Sequence, residues 1–424
     1  MGHRRARAGA MIGLLLFIVS GLAGLGSAES ESGSAESESG SAESGEHVDY
    51  REPHEDAVDE DLLEELRTVA AEEAKGKLSE MSARERVRYA LMLSQHAIVE
   101  RNVERANEWT RWAGDQVNLD DHPGLSGDVS IARARISELT GNVRAAVSWS
   151  RRAADAYGSA GLLEAELNAL ARLASTQHRL GLLGDGIETA DRVISQLEAL
   201  PNDSIRGRVL LDAAMMRYKI GRLEEVPDLL DEAYEYFVAE DDHDGMGTVY
   251  RFRGNYHGSR GNTEEALRYY ERAAEKYERT GNTHDAANVS FNIGLSEMNE
   301  GRYEEAAEYL EEAVDGFVEA GSISGAGMAA TELSVALWVA GRPEEADSAL
   351  ASAIGMLEAT QSLRRLARAY TVRASIQSVI GDEGGARDSL REARNLYDEL
   401  GLRDEADAIQ RELDELGDDR DGGI

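Results

Sequence analysis

Cysteine is absent from all 424 residues. That excludes disulfide frameworks, thiolate metal sites, thiol nucleophiles and a lipidated cysteine anchor. Proline occurs only 5 times, far below its usual ~5% share, which points to long helices. Lysine contributes only 4 of the 45 basic residues, and 81 acids outnumber them to give a formal charge of -36. Such a chain has no basic footprint for phosphates, which argues against nucleic acid as a partner. The acid surplus with little lysine predicts a halophilic, self-repelling surface. The sequence also lacks a Gly-x-Gly-x-x-Gly turn after a strand, a Gly-Lys-Ser/Thr phosphate loop and a Gly-x-Ser-x-Gly elbow.

What is present begins with an export segment over residues 1–28. Arg4, Arg5 and Arg7 precede an uncharged apolar run from Met11 to Leu25, and Gly26-Ser27-Ala28 supplies the small residues of a cleavage site. The run falls short of the ~20 residues that span a bilayer comfortably. The segment is therefore expected to be cleaved, with a membrane tether through residues 11–25 as the alternative, and the protein to be exported, periplasmic or extracellular. Seven-residue copies of Gly, Ser, Ala and Glu follow, so residues 29–57 are expected to form a disordered spacer with a reach of about 30 Å. An amphipathic cap helix is expected over 58–82, carrying Leu62, Leu63, Leu66 and Val69.

From residue 83 the chain repeats every forty residues. Glycine stands at 141, 181, 221, 261, 301, 341 and 381, with Arg101 at the preceding position. Seven residues before each turn the side chain is small, from Ser94 and Ala134 to Gly254, Gly294 and Ala374. Small residues or valine stand five after it, from Ala106 to Ala386, and a larger one stands sixteen after it, such as Tyr157, Phe237, Tyr277 and Phe317. Between glycines the apolar positions keep helical spacing, as in Ala306, Leu310, Ala313 and Phe317. Each unit is thus read as two helices around a glycine turn, where positive φ costs least. The small columns lie where antiparallel helices approach closely, and the large one fills the gap toward the next unit. Pro123 and Pro201 fall between units and Pro343 at a helix start, whereas Pro227 falls further in and is expected to strain or kink its helix. A final helix is expected after residue 402, with a frayed tail.

The turns Gly301-Arg-Tyr-Glu-Glu-Ala, Gly261-Asn-Thr-Glu-Glu-Ala and Gly341-Arg-Pro-Glu-Glu-Ala, with Ile293-Gly294 before and Ala313 after, resemble the central turn of tetratricopeptide repeats. The resemblance covers roughly residues 83–400, with a period longer than the family's 34 and without its frequent proline. It implies an all-α, right-handed α-solenoid of eight helix-turn-helix units over 83–401 with flanking cap helices. It also implies a role in binding peptides or proteins in a concave groove lined by the first helices.

Register assigns charge to these helices. The eight 18-residue windows before the turns hold 18 basic and 13 acidic residues, and the windows after them hold 16 and 36. The first-helix side is thus mildly basic, with Arg133, Arg135, Arg172, Arg208, Arg217, Lys219, Arg251, Arg253 and Arg368 prominent. A peptide-binding groove is expected to include Arg208, Arg251, Asn255, Asn288, Phe291, Asn292 and Arg368, receiving an acidic or carboxyl-terminated segment. Tyr250, Phe252 and Tyr256 are further candidate anchors. In the competing reading these arginines pair with second-helix acids and only balance charge.

No catalytic, cofactor or metal site is expected. The nine histidines, His178 and His257 among them, lack ligand spacing, and Asp120-Asp121-His122 and Asp241-Asp242-His243-Asp244 read as helix-capping loops. Trp109, Trp112, Trp149 and Trp338 read as packing residues. The leading expectation is an exported, non-catalytic adaptor for a protein or peptide. A ligand-sensing regulator is the alternative, though nothing outside the array is large enough to be an effector domain, and an enzyme using the groove lacks any site constellation.

Overall fold

In a computed structural model the protein is described over residues 60–100, 102–197 and 203–418, and every regular element there is helical. The export segment, spacer, Arg101, Pro201 and the last six residues lie outside the described residues. Among the described residues no helix is long and apolar enough to cross a membrane.

The cap before the array is two helices, α1 (Glu60–Thr68) and α2 (Ala71–Leu78), where one was expected. The break falls at Val69-Ala70, with Ala70 extended at ψ 147°. The units then run as pairs. Unit one joins α3 (Ala83–Val99) to α4 (Val103–Asp115), unit two α5 (Pro123–Leu139) to α6 (Val143–Ala160), and unit three α7 (Leu163–Arg179) to α8 (Leu183–Ile194). Unit four joins α9 (Asp203–Lys219) to α10 (Val226–Ala239), unit five α11 (His243–Ser259) to α12 (Thr263–Thr280), and unit six α13 (Thr283–Asn299) to α14 (Tyr303–Glu319). Unit seven joins α15 (Ile323–Val339) to α16 (Pro343–Ala359), unit eight α17 (Leu363–Ile380) to α18 (Glu383–Glu399), and α19 (Arg403–Asp418) closes the chain. This is the all-α repeat fold read from the sequence.

Pro227 does not kink α10. A short 3-10 turn, Leu223–Glu225, precedes it, and the α-helix begins at Val226 with the proline in its first turn. The ring there removes a donor that has no helical partner, so the helix start moves instead of bending.

The glycine turns inside the hairpins share the same hydrogen bonds. At Gly301, φ is 76°. The Arg302 amide donates to the Glu297 carbonyl at 2.9 Å and the Gly301 amide to Met298 at 3.0 Å, a left-handed helix stop. Left-handed residues also stand half a period on, at Gly161, Gly281, Gly321 and Gly401, and Asp241 and Gln361 adopt the same conformation with φ 55° where glycine is missing.

The columns of the repeat are contact pairs. The Ser94 hydroxyl donates to the Ala106 carbonyl at 3.1 Å, and a Cβ on Gly294 would lie 3.3 Å from the Ala306 carbonyl oxygen. These are the positions seven before and five after a turn. The large side chain sixteen after a turn sits against the first helix of its own unit as well as the next. Phe237 meets both Gly207 and Gly245, closely enough that a Cβ on Gly245 would lie 2.2 Å from its ring.

Contacts divide the described chain after Gly245. In the part before it, Leu66, Leu78, Val87, Leu93 and Trp109 form one core, which the two cap helices help to close. In the part from Met246 onward, Phe291, Leu310, Phe317, Leu350 and Leu357 belong to one core. Helix α15 is apolar or small around most of its circumference and is buried over most of its length, as a helix wrapped by neighbours should be.

Candidate functional site

First helices of neighbouring units are tied to each other by polar side chains 34 to 41 residues apart. Before Gly245, Arg135 donates to Gln95, Arg172 pairs with Glu138 at 2.8 Å, Arg179 reaches the same carboxylate at 3.3 Å, and His178 meets Asp212 at 3.2 Å. After Met246, Asn292 donates to Asn255 at 3.3 Å, Arg365 to Ser324 at 2.6 Å, and Arg368 pairs with Glu332 at 2.6 Å. Glu332 is only 5% exposed, so its charge depends on that partner. These arginines pair with acids and polar groups of adjacent first helices, whereas Arg217 pairs with Asp191 on α8 and with Glu225 before α10 at 2.6 Å, the second-helix partners expected for charge balance.

The seven residues expected to form a groove have different fates. Arg208 is exposed on α9. Arg251 is half-buried and turned inward, where its guanidinium hydrogen-bonds the Tyr277 hydroxyl and acts on Asp285. Burial would raise the Asp285 carboxyl, but His284 at 3.9 Å, the charge of Arg251 and a 3.0 Å hydrogen bond donated by Asn282 hold it below the ordinary aspartate value. Burial pushes the Tyr277 hydroxyl strongly upward. Asn255 accepts from Tyr270 at 2.8 Å as well as from Asn292, and both asparagines are buried. Asn288, half-buried, donates to the His284 carbonyl of its own helix at 3.2 Å. Phe291 is not a groove residue: it is 3% exposed within the core. Phe252 is likewise fully buried, because the first helix must fill the hairpin interior before it can face solvent. Arg368 is engaged with Glu332 as described. Of the seven, Arg208 alone is exposed, and Asn288 is half-buried like Arg251 and Arg368.

Sequence reasoning missed a different cluster. In unit two, the Arg133 and Arg152 guanidiniums lie 4.6 and 5.6 Å from the Trp149 ring centroid. In unit five, three periods on, Arg253 and Arg272 lie 5.9 and 5.6 Å from Tyr269. Tyr250 stacks on Tyr269 at 6.2 Å, and His257 stacks on it at 5.2 Å. Register alone groups Arg133 and Arg253 with Arg135 and Asn255 on the first-helix side. Two residues along a helix, however, turn through about 200°, which points them away from the inter-unit ladder and toward second-helix rings. Matching positions eight before, eight after and eleven after the turn would have revealed both clusters.

The acidic loops act as turn elements. Asp242 accepts from the Gly245 amide at 2.8 Å, and Asn118 donates to Asp121 at 2.7 Å. Among the described residues no group of three or more His, Asp or Glu could hold a metal ion.

Two models of the tetratricopeptide repeat match this chain, one at residues 207–279 and 245–319 and the other at 291–359. Among solved structures, the chain is similar to a Rap protein complexed with Competence and Sporulation Factor. Identity is 14%, coverage is 79% of this chain and 98% of that one, and the TM-score is 0.51. It is also similar to the apo form of RapI, at 13% identity, 80% and 99% coverage and a TM-score of 0.50. At these identities the likeness is one of fold. No curated protein matches the chain. The chain carries tetratricopeptide repeats, matched directly over residues 207–359.

Proposed function

We propose that this chain is an exported, non-catalytic scaffold that gathers a protein or peptide segment along its first helices, with residues 1–28 cleaved or retained as a tether. The observation that carries this reading is the polar ladder between successive first helices. Bonds such as Asn255 to Asn292 and Arg368 to Glu332 fix neighbouring helices in register. A surface held this way loses little further freedom when a partner docks, so more of the contact energy appears as affinity. Tetratricopeptide repeats at 207–359 support the same reading, as does the similar Rap structure, which was solved as a complex with a factor.

The test is site-specific photocrosslinking in the native envelope, from Asn288 and Arg208 on first helices and from Glu271 and Glu308 on second helices. A defined polypeptide captured from the first-helix positions alone is the expected outcome. Equal labelling from both sets, or none, rejects the reading. Secretion follows from tracking the size of the mature chain in cell fractions: an unprocessed cytoplasmic product rejects it.

A further inference from the structure

The arginine clusters raise a question the scaffold reading does not answer, namely what offsets concentrated positive charge on so acidic a protein. Among the eight second-helix windows, 142–159 alone holds more arginine than acid, with Arg144, Arg151 and Arg152 against Asp155. Beside it stand Arg133 from α5 and Arg111 from α4. Among the described residues none of Arg111, Arg133 and Arg152 forms an ion pair. Arg152 is exposed, while Arg133 and Trp149 are half-buried. Burial lowers the Arg133 guanidinium, the neighbouring charges of Arg152 and Arg111 lower it further, and Asp115 opposes them. Three like charges are thus gathered with a single named carboxylate facing Arg133.

A guanidinium stacked on an aromatic face keeps its N–H edge free to bond a planar carboxylate in a bidentate fork. Two such groups on one indole make a preorganised receptor for an anion, and the same arrangement returns in unit five with Arg253, Tyr269 and Arg272. We propose that the Arg133–Arg152 pair over Trp149, with the charge of Arg111 acting on Arg133, is a carboxylate-binding site for an acidic segment of a partner polypeptide. The site rests on the reading that the chain binds polypeptides, but it is distinct from the first-helix ladder because Arg133 points away from Arg135.

The test uses the full chain, titrated at low ionic strength with an eight-residue glutamate peptide, followed by calorimetry and tryptophan fluorescence. Saturable binding is expected, weakened roughly tenfold or more in Arg133→Gln with Arg152→Gln, since charged hydrogen bonds are lost. Asp115→Asn, which removes the competing carboxylate, should tighten binding several-fold, a gain that misfolding cannot imitate. The proposal is overturned if the peptide does not bind, or if it binds the double variant as well as the parent. It is also overturned if inorganic phosphate, but not the peptide, binds through these arginines. Crosslinks from Asn288 and Arg208 that persist unchanged in the double variant, together with arginine-independent peptide binding, would leave the scaffold reading standing and remove this site.

Discussion

Burial decides what individual side chains can do here, and it separates residues that the sequence grouped together. Glu332 is 5% exposed and held by Arg368. Replacing Arg368 with Met strands a buried carboxylate, so stability should fall by about 2–4 kcal/mol in urea titrations. A loss under about 0.5 kcal/mol would show the pair to be solvated and exchangeable. Phe291 makes a second case. Phe291→Ala should cost about 3–5 kcal/mol, as core truncations do, whereas an exposed groove anchor would leave the urea midpoint unchanged. Asp285 sets an acid limit. Its carboxyl is held below the ordinary value of 3.8, so it contributes stability above that pH and loses it as pH falls through the depressed folded value. Asp285→Asn should flatten the decline of stability below about pH 4, read from thermal melts across pH. An unchanged slope would mean that the charge of Arg251 does not reach it.

Among the elements, turns rather than helices carry the period. A left-handed residue recurs at both ends of most hairpins, usually glycine but Asp241 and Gln361 at two positions, each with φ 55°. That conformation costs an ordinary L-residue roughly 1–2 kcal/mol. Gln361→Gly should therefore raise stability by about 0.5–1 kcal/mol, after allowing for the added freedom of the unfolded chain. Gly301→Ala should lower it by about 1–2 kcal/mol. Opposite signs in calorimetry are the required result, and two losses would show that Gln361 is not strained. The helix pattern, the glycine turns and the close columns were legible because each is a local consequence of spacing. Ser94 over Ala106 and Gly294 over Ala306 came from counting alone. The split of the cap at Val69-Ala70 and the delayed start at Val226 were not legible. Helix ends depend on which backbone groups find partners, and apolar spacing does not report that.

At the scale of the whole molecule, net charge acts against compactness. A chain at -36 repels itself, and added salt screens that repulsion once the Debye length falls from ~10 Å at 0.1 M to ~3 Å at 1 M. The melting temperature should rise between these concentrations. A fall would mean that the inter-helix pairs, such as Arg172 with Glu138, outweigh the general repulsion. Repeats stabilise one another mainly through neighbours, so such shifts should be shared along the array.

By itself the sequence determined the helical hairpin, its forty-residue register and the columns that let hairpins stack, because periodic apolar positions, small residues and glycines act within a few residues of where they stand. Only the tertiary structure decided that Phe291 lies in the core, that Arg251 serves Tyr277 and Asp285, and that Arg133 and Arg253 turn toward aromatic rings. The direction a side chain takes from a helix is set by its neighbours' shapes and charges, and residues adjacent in one register can end on opposite faces.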